Sequence, residues 1–297
     1  MNLDLKSVKL FIRVAALGAI GRAGRDFGYS PTAASQRIQA LEEVLGAKLL
    51  NRTTRTVSLS TDGEKFLAHA RKIVDDIEDA VTDLQSNRNT ISGELRVTAS
   101  ASFGRRYIAP FVGEFLRDHP DASINLELSD GVFDIVQHGF DLALRIGTLA
   151  PSTLMARKIV DNPRILVASS DYMKTHGVPA AAKELADHNC LLLGETRTWH
   201  LRDANGKQSA VSVQGNFTTS YGEAVTEAAV NGAGIALKSR WDIRDQLSAG
   251  ALVEVLPDHV VEPEWSLWAV RPPGRVVSAR VQVFTEFIEK KLQAVLA

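Results

Sequence analysis

A single cysteine, Cys190, in 297 residues excludes a disulfide within the chain and any zinc site built from clustered cysteines. It adjoins the apolar run Leu191–Leu193, which marks it as a core thiol rather than a reactive one. The 7 histidines (69, 119, 138, 176, 188, 200, 259) are scattered without metal-ligand spacing. Long apolar runs are missing as well. The stretch Met1–Gly21 is interrupted by Asp4, Lys6, Lys9 and Arg13, and no later segment reaches the length of a membrane span. These absences predict a cytosolic protein with no signal peptide and no membrane partner. Also absent are Gly-x-Gly-x-x-Gly, Gly-x-x-x-x-Gly-Lys-Ser/Thr, His-Glu-x-x-His and Gly-x-Ser-x-Gly. No cofactor, metal or catalytic residue is therefore indicated, and an enzyme is the disfavoured reading.

What is present is the balance of a soluble globular protein, with 45% apolar and 23% charged residues. The length exceeds a typical single domain and implies two or three. The net charge of −1 hides an uneven distribution. Residues 1–60 carry nine Lys/Arg against four Asp/Glu, net +5, which leaves −6 on residues 61–297. A basic head on a mildly acidic body suits a polyanion-binding module fused to a domain that should avoid DNA. A small domain can also be basic for solubility alone.

In the head, Val8, Phe11, Val14 and Ala15 recur at helical spacing and Gly18 ends the run. A short helix from Ile20 to Phe27 is closed by Gly28. Ser30 then offers a capping hydroxyl, and Pro31 sits at the first helical position, where a missing N–H costs nothing. The third helix runs to about Leu45 with Ala34, Ile38, Leu41 and Leu45 as its buried stripe. Two short helices joined by a tight turn form the helix-turn-helix pattern, whose second helix reads the major groove. The stripe leaves Thr32, Ser35, Gln36 and Arg37 to face DNA. Gln36 can pair with adenine and Arg37 with guanine or phosphate, while Ser30 at the helix start can seat a phosphate. Beyond Gly46, Arg52-Thr53-Thr54-Arg55 leads to Val57-Ser58-Leu59, which reads as a two-stranded wing with Arg52 and Arg55 placed for phosphate or the minor groove. The ordinary alternative for each is a solvated side chain.

The run Phe11–Ser30, with Ser35, Ile38, Leu41-Glu42-Glu43, Leu45-Gly46, the wing and Leu59-Ser60-Thr61-Asp62-Gly63, resembles the LysR-type transcriptional regulators. The usual family pattern there is Ser-Gln-(Pro/Ser)-Ala-Val-Ser-Arg-x-Ile. This chain departs from it at Pro31, Ala34 and Gln36, which bears on the operator sequence rather than on the fold.

Thr61-Asp62-Gly63-Glu64 has capping-box spacing. Phe66, Ala70, Ile73, Ile77, Ala80 and Leu84 then form a heptad seam. Such a helix either pairs two chains, as the resemblance implies, or packs on its own domain. The stretch Asn87–Gly93 reads as a hinge. The body alternates strands and helices: a strand Glu94–Ala99, a helix Arg105–Arg117, a strand Ile124–Leu128, a short helix Val132–His138 and a strand Phe140–Ile146. A second unit holds a strand Arg164–Ala168, a helix Gly222–Asn231, and strands at Gly234–Leu237 and Ala251–Leu256. A strand Ser266–Val270 and a helix Ala279–Leu296 return to the first lobe. The alternation predicts mostly parallel sheets covered on both faces.

The body resembles the effector domain of the same family, itself similar to periplasmic binding proteins. The likeness is clearest at Pro110–Pro120, Phe140–Gly147 and Gly250–Pro257. The fold class is therefore α/β: a mainly helical winged helix-turn-helix head over residues 1–60, a dimerisation helix over 61–89 and a two-lobed effector domain over 93–297. Ligand contacts belong where strand ends and helix starts face the cleft. They are Ser100, Ser102 and Phe103 with Ser129 opposite, then Thr218, Thr219 and Tyr221 on the second lobe, with Trp199 and Lys238 beside them. Each has an ordinary reading as a cap, a packed aromatic or a solvated side chain. The function implied is a transcription regulator that binds double-stranded DNA and a small organic anion. It would act as a homodimer or homotetramer, with RNA polymerase as a further partner. A ligand-binding module or an enzyme without specific DNA binding is the alternative.

Overall fold

The computed structural model describes residues 3–52, 57–85, 91–131, 134–273 and 277–296. The head opens with α1 (Leu5–Leu17), capped by the Asp4 carboxylate, which accepts from the Lys6 and Ser7 amides, and stopped by Gly18 at φ 61°. α2 (Ile20–Asp26) and α3 (Pro31–Leu45) follow. Ser30 caps α3 by accepting from the Ala33 N–H, and Gly46 ends it at φ 67°. The two helices cross closely because Gly24 has no side chain: a Cβ there would lie 2.6 Å from that of Ala34. β1 (Leu50–Arg52) and β2 (Val57–Leu59) pair antiparallel from Leu50↔Leu59.

α4 (Thr61–Gln85) closes the head core with Ala70 and Val74, while Phe66 packs 5.5 Å from Phe11. The first half of the sequence-read seam thus covers its own domain, and the stripe emerges at Ile77, which is 42% exposed. The cap also lies one residue before the expected Thr61. Ser60 Oγ accepts from the Gly63 N–H at 2.9 Å and donates to the Lys48 carbonyl at 2.5 Å. Ser60 wins because its hydroxyl serves both the helix start and the turn entering the wing.

The first lobe contains β3 (Gly93–Ala99), α5 (Ala101–Phe103), a π-helical turn Gly104–Ile108, α6 (Ala109–Asp118), β4 (Ala122–Leu128), β5 (Leu142–Gly147) and β6 (Met155–Asn162). The chain then crosses at Pro163 into the second lobe. That lobe holds β7 (Arg164–Ala168), α7 (Ser170–His176), β8 (Cys190–Leu193), β9 (Thr198–Arg202), β10 (Gln208–Ser212), β11 (Thr218–Thr219), α8 (Gly222–Val230), β12 (Ile235–Ser239), α9 (Arg244–Ser248), β13 (Val253–Val255) and β14 (Val260–Glu262). β15 (Trp265–Arg271) and α10 (Ala279–Leu296) return to the first lobe.

The sheet orders are β4-β3-β5-β15-β6 and β11-β8-β12-β7-β13, with a small antiparallel sheet β10-β9-β14 on the second lobe. Neither large sheet is mostly parallel, contrary to the sequence expectation. β3 runs parallel to β4 and β5, but β15 is antiparallel to β5 and β6. Likewise β8 runs parallel to β11 and β12, whereas β7 is antiparallel to β12 and β13. The strand that enters each lobe from the other arrives in the opposite direction. The expected helix Val132–His138 is also replaced. Val132 and Phe133 lie outside the described residues, and Asp134 Oδ1 accepts from the Val136 and Gln137 amides to set a turn ended by Gly139 at φ 64°.

Cys190 opens β8 and is buried in the second-lobe core, where burial pushes its thiol up to about 12. The thiolate is the reactive form, so iodoacetamide at neutral pH should leave Cys190 unmodified until denaturant is added. Mass spectrometry showing rapid labelling of the folded protein would contradict that placement.

Candidate DNA-binding head and effector cleft

On α3, the spacing that buries Ala34, Ile38 and Leu41 turns Thr32 and Gln36 outward and leaves Ser35 half-exposed. Ser30 Oγ is committed as acceptor to the Ala33 N–H at 3.2 Å, which leaves its hydroxyl hydrogen to donate outward. Arg37 is engaged within the protein. Its Nη1 bonds the Asp4 carboxylate at 2.9 Å and its guanidinium lies 4.6 Å from the Tyr29 ring centroid. It therefore ties α3 to the start of α1. Arg52 ends β1, and Arg55 lies outside the described residues.

Sequence reading did not single out Glu42, which anchors the wing. Its side chain is buried, Oε1 accepts from the Leu49 and Leu50 amides at 2.8 and 3.2 Å, and Oε2 meets Lys48 at 3.2 Å. A buried carboxylate is tolerated here because both oxygens have donors.

Between the lobes lies a cavity of about 890 Å³. Its first-lobe side presents Ser100, Ser102, Asp130 and Thr148, and the crossing strands add Arg164, Pro263 and Trp265. The second lobe contributes Arg197, Trp199, His200, Lys238, Trp241 and Asp242 among others. Four residues expected from the sequence thus meet there: Ser100, Ser102, Trp199 and Lys238. Lys238 and Asp242 form a buried ion pair at 2.5 Å, and the ammonium also donates to the Gly222 carbonyl at 2.7 Å.

The other expected contacts lie around the cavity instead of lining it. Phe103 is buried in the first-lobe core, stacked on Tyr107 and edge-on to Trp241. Ser129 Oγ accepts from the Gly131 N–H. Thr219 Oγ1 accepts from the Tyr221 N–H, and Thr218 Oγ1 is reached by Arg197 at 3.5 Å. Tyr221 donates its hydroxyl to Glu223 at 3.1 Å. Glu223 also pairs across the cleft with Arg105, and that hydrogen bond leads the effects that hold its carboxyl below the usual range. Its contribution to lobe contact is therefore present above the ordinary glutamate range and fades as pH falls through the lowered value.

Asp130, Arg164, Arg197 and Trp241 escaped the sequence reading. Arg197 precedes the β9-β10-β14 sheet, which the sequence pattern did not reveal. Arg164 had one signal, an arginine opening an apolar strand directly after a proline. Its Nη2 donates to the Pro263 carbonyl at 3.1 Å, its guanidinium lies 3.7 Å from the Trp265 centroid, and burial pulls it down to about 10. The charged groups bordering the cavity are Arg164, Arg197 and Lys238 against Asp130 and Asp242, an excess of one cation.

A basic winged helix-turn-helix joined to a two-lobed domain with an interlobe cavity that mixes apolar walls and charged groups defines a ligand-responsive DNA-binding protein. Two family models match: "Bacterial regulatory helix-turn-helix protein, lysR family" over residues 5–64 and "LysR substrate binding domain" over residues 88–293. The chain belongs to the LysR family of transcription regulators. It is 33% identical to the HTH-type transcriptional regulator DmlR of Escherichia coli, over 96% of this chain and 94% of that protein. Among solved structures it is similar to CrgA of Neisseria meningitidis, at 29% identity and TM-score 0.61, covering 98% of this chain and 99% of that one. It is also similar to the Vibrio cholerae virulence activator AphB, at 27% identity and TM-score 0.59, covering 96% and 98%.

Proposed function

We propose that this regulator senses a small organic anion in the interlobe cleft and converts its binding into altered seating on DNA. The observation that carries the reading is the cleft itself, which joins Ser100 and Ser102 on one lobe to Trp199 and Lys238 on the other with a cationic excess. In this reading residues 1–60 dock on duplex DNA and residues 93–297 hold the effector. The helix over 61–89 pairs two chains through its heptad seam, of which Ile77 stands exposed. Two such heads in a dimer, or four in a tetramer, engage a partly symmetric operator in the cytoplasm. Lobe closure on the ligand changes their spacing and thereby the access or recruitment of RNA polymerase.

In the head, Thr32, Ser35 and Gln36 face base edges, and Ser30, Arg52 and Arg55 hold phosphates. Arg37 acts through Asp4 and Tyr29 to set the pitch of the recognition helix. Footprinting of the DNA flanking the gene, with excess nonspecific duplex at roughly physiological salt, about 0.15 M, tests the reading. A protected, partly palindromic site supports it; no protection with or without metabolites leaves a ligand-binding module. On such a site Gln36→Ala should lose about 1–3 kcal/mol of specific affinity with nonspecific binding unchanged. An equal loss on both kinds of DNA would assign Gln36 to the backbone instead.

A further inference from the structure

Several cations of the effector domain have a carboxylate partner at hand: Lys238 with Asp242, Arg106 with Asp245, Arg240 with Glu254 and Arg202 with Glu264. Arg164 differs. It lines the cleft, yet no carboxylate among the described residues pairs with it. One Nη donates to the Pro263 carbonyl, and the buried Nε has no acceptor. Trp241, another residue of the cavity wall, likewise has its buried indole Nε1 without an acceptor. Trp265 covers one face of the guanidinium and so fixes its plane.

We propose that Arg164 is the specificity-determining anchor of the cleft, binding a carboxylate group of the effector through charge-assisted hydrogen bonds. The argument rests on the reading of the cleft as the effector site. Taking a guanidinium partly out of water without a counter-charge is unfavourable to folding, and the downward shift of Arg164 by burial expresses that cost. A planar guanidinium already stacked on an indole, with Nη2 on Pro263 and no partner for Nη1 among the described residues, is pre-organised for a carboxylate. Arg164 opens β7 at the crossing between lobes, while Ser100 and Ser102 stand on the first lobe. A ligand held by both couples anion recognition to the lobe junction. Arg197 is less suited to this role because its guanidinium already donates to the Gly194 and Thr196 carbonyls.

The test uses the full chain and matched pairs of acetate and acetamide, succinate and succinamide, benzoate and benzamide, read by calorimetry and thermal shift. At least one acid should bind the wild type, with its amide about tenfold weaker or worse. Arg164→Met should weaken that acid about tenfold or more, to the level of the amide, and Arg164→Lys should recover part of it. Without ligand, Arg164→Met should melt at or above the wild-type temperature, since it removes an uncompensated cation. Three binding outcomes overturn the anchor: acid bound by Arg164→Met within about twofold of wild type, acid and amide bound equally, or no acid bound by wild type at about 10 mM. A fall in the unliganded melting temperature of more than about 5 °C also overturns it, because Arg164 is then a structural stack. Leu193→Trp, which fills the cleft from the second lobe, scores the underlying reading separately. If it blocks an acid that Arg164→Met still binds, the cleft stands and the anchor falls; if it blocks nothing, the cleft reading itself fails.

Discussion

Lys238→Met should lower the stability of the second lobe by about 3–5 kcal/mol, the usual consequence of stranding one member of a buried ion pair. Lys238 and Asp242 are each almost fully enclosed, and their charged atoms lie 2.5 Å apart. Removing the ammonium leaves the Asp242 carboxylate buried without a cation and takes one donor from the Gly222 carbonyl at the start of α8, which keeps Thr226 Oγ1. The Asp242 carbonyl also accepts from Arg106 of the first lobe at 2.5 Å, so the disturbance reaches the lobe junction. The pair itself, by contrast, contributes little beyond what well-packed apolar groups would. The double variant Lys238→Met, Asp242→Leu should therefore recover most of the loss. All 4 tryptophans (199, 241, 265 and 268) lie in the effector domain, so urea unfolding followed by their fluorescence reads this domain alone. A single-variant loss below about 1 kcal/mol would mean that Asp242 finds water or another donor when Lys238 is gone.

The second large effect lies in the head. Gly63, in the first turn of α4, approaches the Leu49 carbonyl so closely that a Cβ would sit 2.0 Å from its oxygen. Relief requires β1 to move, but the Leu49 and Leu50 amides are pinned by the buried Glu42 carboxylate. Gly63→Ala thus combines overpacking, about 1–3 kcal/mol, with exposure or loss of buried hydrogen bonds at about 1–3 kcal/mol each. A head of this size has little stability to spare. The expected result is abolished DNA retention, with tryptophan-monitored unfolding of the effector domain unchanged. Glu42→Gln keeps one acceptor for those amides and should weaken the head less. If Gly63→Ala binds DNA normally, the contact between wing and connecting helix is slack.

Local order was legible in the chain wherever a short-range rule decides it. Asp4, Ser30 and Pro31 start helices, Gly18 and Gly46 stop them, and the spacing of Ala34, Ile38 and Leu41 selects the face of α3 that packs inward. The positions of β3, β4, β5, β7, β12, β13 and β15 followed from apolar runs, whereas β6, β8, β9, β10, β11 and β14 were not read from the pattern. Ser100, Ser102 and Lys238 followed from their places at or near strand ends, and Trp199 joins them in the cavity. Phe103 and Ser129 occupy comparable positions but turn to the core and to a local turn. Position along a strand does not state which way a side chain faces once lobes assemble.

By itself, then, the sequence determined the basic helix-turn-helix head, the long connecting helix and the alternating body, because caps, periodicity and charge act within a few residues. Only the tertiary structure decided the direction of β7 and β15, since strand polarity depends on which lobe the chain has just left. It alone brought Arg164 to Trp265 and Pro263, about a hundred residues away, and set Glu42 beneath the wing. It also paired Arg37 with Asp4 at the surface. These are partnerships between charges and acceptors distant in the chain, and no spacing rule encodes them.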